Sequence, residues 1–384
     1  MKKILFTIIS AIFTISTFTS CNDPIFPTIR NEVALEEAEV SGFINSIVRY
    51  NDDLYLQNGR IFKKPQSETS HGKWELQKSD KINELSYDYY AQSFFGNYIV
   101  KLASDQNYVY ALCYDFAKKD NEGLNEVKDI YLFYKNDSTD WIKSTGTLQS
   151  ELTKIAENYK NLEDKSYEMT DKTKTVTILC TNTPQKGHRF AYVKIGTKLY
   201  QLDGTEITEV NAGNDNSEIV SAMYINGGTY FFKHLACGTN ETETSDATRG
   251  YYADGKNLHY FLPAEVTADQ HSKIETKSEK NIISLAISKD SILLGTNENG
   301  VRRVLLDSEG VPSETTTYIS NSAEIMCMPY IVRTLFSTYP EKTEAENTLY
   351  SSLEFRWTET NSGAQYTNIG LWAYYPERGN WNRE

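Results

Sequence analysis

The chain has 384 residues and a formal net charge of −13. An acidic chain repels the phosphates of nucleic acids, which counts against DNA or RNA binding, and it disfavours direct adhesion to anionic lipid headgroups. The 27 tyrosines stand against 16 phenylalanines and 5 tryptophans, and Tyr, Thr, Ile and Val favour pleated, half-buried surfaces, so a β-rich chain is expected.

The first segment reads MKKILFTIISAIFTISTFTSCND. Lys2 and Lys3 form a basic start, Ile4 to Phe18 an uncharged run, and Ser20 a small residue before Cys21. A spanning helix needs roughly 20 apolar residues, and this run is shorter and holds several Ser and Thr. The pattern is that of a cleaved export signal. Phe18-Thr19-Ser20-Cys21 resembles the lipobox of bacterial lipoproteins, with Phe where that family favours Leu, a form typical of relaxed spirochaete lipoboxes. The resemblance implies cleavage before Cys21 and acylation of its thiol with palmitate-type chains. Residues 1–20 are then the signal peptide, 21–41 a lipidated spacer, and 42–384 the exported domain. The alternative is an ordinary secretory signal with a chance cysteine. Two or three acyl chains hold a protein to a membrane where one is marginal.

From residue 42 onward the chain repeats a four-strand order, punctuated by Asn, Asp and Gly turns. GFINSIVRY, LYLQNG, RIFKKP and GKWELQKS form the first unit. The second runs over about 98–144, the third over 175–210, the fourth over 219–266, the fifth over 282–318. AEIMCMPY, IVRTLFSTYP, SLEFRWTE and GLWAYYPERGNWNRE form the last. The shorter intervals match the blade of a β-propeller. The predicted fold is all-β: a propeller of six four-stranded blades, or seven if 148–174 or the long final unit hides another sheet. A pair of β-sandwiches would also give alternating strands. Trp74, Trp141 and Trp381 each open the last strand of a unit, where an indole would cover the seam between neighbouring sheets. Leu148, Leu152, Ile155 and Leu162 recur near helical spacing, so a helical insertion is expected at 148–166. Asn240–Thr248 and Lys342–Asn347 read as loops, and residues 32–40 as an extra edge or a tether.

The segments FTSCNDPIF, SGFINSIVRYNDDLYLQNGRIFKK and ASDQNYVYALCYD resemble treponeme-type spirochaete lipoproteins of no settled function. This resemblance implies a lipid anchor and export, and no reaction. The ISKDSILLGTNENGVRRV unit is similar to blades of sensor-type propellers in architecture alone.

No catalytic signature stands out. Cys113, Cys180, Cys237 and Cys327 are too far apart for a CxxC pair; Cys113, Cys180 and Cys327 sit in strand-like runs, and a buried thiol is the simplest reading of all four. A disulfide stays open in an exported compartment. His71, His188, His234, His259 and His271 form no HExxH or HxH pair, and a metal site needs convergent ligands. The strand histidines His234 and His259 read as structural. No nucleophile elbow, P-loop or dinucleotide motif occurs. Asn136–Trp141 faintly resembles the aspartate-box turn of sialidase blades, and no spacing links three arginines into a sialidase-like trio. GTNENG at 295–300, Asp203-Gly204 and Asp254-Gly255 read as turns. Asn51–Asp53 and Asn214–Asn216 fall short of a calcium loop. The expectation is therefore no enzyme, no metal and no cofactor, with Cys21 as the lipid-attachment site. The predicted function is a lipid-anchored cell-envelope protein whose propeller binds a protein or glycan, on an outer membrane's periplasmic or surface side. A glycan-active propeller enzyme and a periplasmic assembly scaffold are the alternatives.

Overall fold

In the computed structural model the described residues are 40, 42–70, 72–77, 82, 85–88, 93–105, 107–118, 127–160, 176–182, 189–195, 198–209, 236–237, 249–261, 272–276, 280–319, 324–340, 342–359 and 363–384. Blade 1 is the meander β1 (Ser46–Tyr50), β2 (Asp53–Gln57), β3 (Ile61–Pro65) and β4 (Glu75–Leu76). Blade 2 adds a strand, β5 (Leu85–Asp88), ahead of β6 (Ser93–Ser104), β7 (Val109–Phe116), β8 (Val127–Lys135) and β9 (Ile142–Lys143). Blade 3 holds β10 (Val176–Asn182), β11 (Arg189–Ile195), β12 (Lys198–Asp203) and β13 (Glu206–Glu209). Blade 4 holds β14 (Ala236–Cys237), β15 (Gly250–Asp254), β16 (Asn257–Phe261) and β17 (Ser272–Glu275). Blade 5 holds β18 (Ile282–Ile287), β19 (Ser291–Thr296), β20 (Val301–Leu306) and β21 (Pro312–Tyr318). Blade 6 holds β22 (Ile331–Ser337), β23 (Leu349–Glu359), β24 (Gly363–Tyr375) and β25 (Asn380–Arg383).

Within every blade, successive strands pair antiparallel. Contacts run from β1 to β6, β6 to β10, β10 to β14, β14 to β18, β18 to β22, and from β22 back to β1. The arrangement is a closed six-bladed β-propeller, which settles the blade number and removes the sandwich alternative.

The inner strands pack on both faces, because each blade has a neighbour on either side. Ile61 joins the apolar core between blades 1 and 2, while Phe62 packs on the core between blades 6 and 1. The seams hold the hydrophobic cores, and burial there at about 25 cal/mol per Å² is the main stabilising force. The three tryptophans sit where the repeat places them. Trp141 packs between blades 1 and 2, Trp74 between blades 6 and 1, and Trp381 between blades 5 and 6. Trp141 meets Tyr55 edge-on at 6.4 Å between centroids, and Trp74 meets Tyr350 at 5.9 Å.

Two blades begin one strand later than the sequence suggests. In blade 4, NLHYF is the third strand and the outer strand is Ser272–Glu275, a polar segment exposed at three of its four residues. Its lack of an apolar signal hides it. In blade 6, Glu324–Cys327 is a short helix, α2, and Ile331–Ser337 is the innermost strand. Short apolar runs do not distinguish the two by pattern. Helix α1 spans Gly146–Lys160 and buries Leu148, Leu152, Ile155 and Ala156 in the core between blades 2 and 3. Residues 161–166 of the expected insertion lie outside the described residues, as do residues 1–39 and 219–235.

Candidate functional site

A meander sheet sends its turns to two opposite ends. The turns joining first to second and third to fourth strands emerge at one end, here the upper face. The turns joining second to third strands, and the links between blades, emerge at the lower face.

On the upper face, side chains stitch one blade's first turn to the next blade. Asn51, with φ of 50°, tops the β1–β2 turn and donates from Nδ2 to both carboxylate oxygens of Asp137 at 2.8 and 2.7 Å. Asp137 lies in the Asn136–Trp141 turn, whose Asn136 Oδ1 accepts from Ser138 N and Thr139 Oγ1. That turn is therefore a structural clasp. Between blades 2 and 3, Tyr110 Oη donates to Asp105 and accepts from the Gly204 amide at 2.9 Å. Burial pushes the Asp105 carboxyl above the usual range, and the amides of Tyr108 and Asn107 and the Tyr110 hydroxyl oppose this. Tyr251 Oη donates to Gly310 O at 2.6 Å between blades 4 and 5. Gln66 Nε2 donates to Tyr339 Oη at 2.6 Å between blades 6 and 1. Between blades 5 and 6, buried Glu344 accepts from Ser291 Oγ, and Asn347 Nδ2 donates to Ser288 Oγ, Ser337 Oγ and Tyr339 O. These stitches hold the upper turns as a rigid platform. Exposed Asp52, Asp137, Asp140, Asp203, Asp307 and Glu377 make it acidic.

Among the described residues, no strand is shared between blades 6 and 1. Instead, Lys64 of β3 and Glu384 form an ion pair at 2.7 Å with both side chains 0% exposed. Lys64 Nζ also donates to Ser70 O and to Tyr375 Oη, which satisfies all three of its protons. Tyr375 Oη donates to Glu384 Oε1 at 2.8 Å, and Trp74 Nε1 donates to Glu384 Oε2 at 2.9 Å. The Tyr350 hydroxyl lies 3.4 Å from that of Tyr375, and burial drives both phenols far above their ordinary range. A buried ion pair persists only when its remaining lone pairs and protons are met in this way. Nothing in the sequence pairs Lys64 with a residue 320 positions away.

Cys21, the expected lipid-attachment residue, lies outside the described residues, as do His71, His188, His234, His271 and Asn214–Asn216. His259 stacks on Tyr252 at 4.5 Å, a packing role. Cys113 is buried in the core between blades 1 and 2, and desolvation holds its thiol well above the normal range. Cys327 is half-buried in α2, not in a strand. The side chains of Cys180 and Cys237 lie outside the description. Of the innermost-strand arginines, Arg49 donates to Thr338 O and Arg333 pairs with Glu354 at 2.6 Å. The GTNENG stretch is the β19–β20 turn, with Gly300 at φ 63° where a Cβ would stand 2.4 Å from Met326 O. Asp203-Gly204 and Asp254-Gly255 form hairpin turns. Among the described residues, no three His, Cys, Asp or Glu converge as metal ligands. An open groove of about 590 Å³ runs beside the start of α1, lined by Lys143, Ser144, Thr145, Gly146, Gln149 and Thr153 among others.

The tyrosines fill the seams. Tyr55, Tyr110, Tyr192, Tyr251, Tyr350 and Tyr375 are all at most 2% exposed. Their abundance reflects a ring that packs a seam and a hydroxyl that can bond across it.

Among solved structures, this chain is similar to the β-propeller domain of Cps50 (Swd1) from Myceliophteria thermophila, at 10% identity and TM-score 0.41, covering 91% of this chain and 98% of that one. It is similar to YCF48 from Cyanidioschyzon merolae at 8% identity and TM-score 0.39, covering 91% and 86%. The SapL1 lectin in complex with alpha methyl fucoside follows at 11% identity and TM-score 0.38, covering 86% and 97%. Likenesses this remote carry no argument about function. No curated protein matches the chain. Residues 2–91 match the model of the TP013X lipoprotein family, a span that takes in Cys21, blade 1 and β5. The lipoprotein resemblance seen in the sequence is borne out over that stretch.

Proposed function

We propose that this protein is a lipid-anchored cell-envelope protein, held by acyl chains on Cys21, whose propeller binds a protein or glycan partner without catalysis. The observation that carries the reading is the lipoprotein-family match over residues 2–91, which joins the leader with Cys21 to the first blade. The stitched upper turns supply a pre-organised surface, and rigidity lowers the entropic cost of association. The surface's acidity favours a partner with basic or hydroxyl-rich groups.

Two measurements test it. Cys21→Ala should move the protein from the membrane to the soluble fraction, with loss of metabolic palmitate labelling; continued membrane retention refutes the anchor. Cross-linking on intact cells from the upper face, with Asp307→Cys as the attachment point, should capture a discrete envelope component. Turnover of glycans or peptides by the purified protein would overturn the non-catalytic reading.

A further inference from the structure

We propose that the propeller stands on the bilayer with its lower face toward the lipid headgroups and its acidic upper face toward the aqueous side. The inference rests on the anchor at Cys21.

The first support is where the chain leaves the blades. Strand β1 starts at Ser46 from the lower end, and Val40, Ile44 and Ile47 are buried in the closing seam that leads there. The described chain therefore enters blade 1 from the lower side, where Gly42 lies against Asn58 of the β2–β3 turn. At up to 3.6 Å per residue, the stretch 22–39 can reach at most about 65 Å. That reach keeps the propeller near the surface and leaves its orientation to other forces.

The second support is how charge divides between the faces. Exposed Arg60, Lys118, Lys128 and Lys256 lie at lower-face turns and strand ends. Lys198 and Lys280 there are neutralised by Glu209 and Glu298. Asp254 and Glu275 offset part of the remaining charge. Among the described residues the upper face carries the exposed carboxylates named above; of its exposed cations, Lys342 lies over the Tyr339 ring at 4.0 Å and Arg378 over Tyr375 at 5.5 Å, while Lys73 and Lys289 offset part of the negative charge. An anionic leaflet attracts cations and repels carboxylates within a Debye length of about 8 Å. Turning the propeller over would replace attraction by repulsion, although the whole chain is acidic.

The test uses the full-length lipidated protein in vesicles of 70% phosphatidylcholine and 30% phosphatidylserine. A fluorescent coumarin amino acid is placed at position 256 or at position 307, and a headgroup nitroxide lipid serves as quencher. Quenching at 256 should exceed that at 307 by about threefold or more. The triple charge reversal Lys118→Glu, Lys128→Glu and Lys256→Glu, read with coumarin at the neighbouring position 281, should bring the two faces to parity while flotation stays unchanged. Equal quenching at both positions in protein that floats overturns the orientation and leaves the anchor standing. Failure to float overturns both.

Discussion

Two seams of the ring use the same tryptophan in different company. Between blades 1 and 2, Trp141 is packed by Tyr55, Phe133, Cys113 and Ile99, and its Nε1 meets no acceptor among the described residues. Between blades 6 and 1, Trp74 occupies the equivalent place, and its Nε1 donates to Glu384 within the network of Lys64, Tyr375 and Tyr350. Blades 1 and 2 are consecutive in the chain, and their indole sits in an apolar pocket. The closing seam joins segments 320 positions apart in sequence, and a directional network specifies which faces meet. Apolar packing gives adhesion; the buried polar network adds a geometric requirement.

The largest expected effect is at the polar seam. Lys64→Met leaves the Glu384 carboxylate buried and unpaired, and should cost about 3–5 kcal/mol. Adding Glu384→Leu should recover only part of that loss, since it removes the buried charge but takes away the acceptor of Trp74 Nε1 and Tyr375 Oη. Urea midpoints from tryptophan fluorescence give both values. A Lys64→Met midpoint no lower than that of Lys198→Met, which breaks an exposed pair, would remove the distinction between the seams.

A smaller effect separates the two indoles. Phenylalanine at either site loses similar packing, but Trp74→Phe also removes a hydrogen bond to a carboxylate, worth about 1.5–3 kcal/mol. Trp74→Phe should therefore lower the midpoint more than Trp141→Phe does. Equal shifts would mean that the indole at the closing seam acts by volume alone.

Asp105 offers the subtlest contrast, a buried carboxylate bonded to neutral donors and not to an ammonium. Its folded pKa is raised, so the folded state holds the proton more tightly than the unfolded state, whose value is near 3.9. Its contribution is fullest below that value and is lost as pH rises through the folded one. Asp105→Asn should thus gain on the native protein between pH 4 and pH 7. A stability difference that moves the other way with pH would refute the assignment.

Much of this architecture is legible in the residues. Turn dipeptides such as Asp203-Gly204 mark hairpins within blades, and the recurring tryptophans mark last strands, because their chemistry is local. The outer strand of blade 4 is not legible, since a short exposed strand carries no apolar alternation. Nor is the buried role of Lys64, because a blade strand is covered on both faces and its polarity does not say which way it points. The Lys64–Glu384 pair depends on closure of the ring, which no window of sequence contains. The upper-face platform is half legible: Asn51 and Asp137 read as turn residues, while their bond joins separate blades.

Closure by side chains has a consequence for how the polypeptide can be rearranged. Since no strand among the described residues is exchanged between the first and last sheets, each described sheet is encoded by one uninterrupted stretch of chain. Any blade boundary is then equivalent as a place to open the ring. A permuted protein cut between β13 and β14, with Glu384 joined to residue 40 through a short linker, would keep all six sheets intact. In it, Lys64 and Glu384 become near neighbours in sequence, and the polar network stays between blades 6 and 1 while the seam left to close last becomes the one between blades 3 and 4.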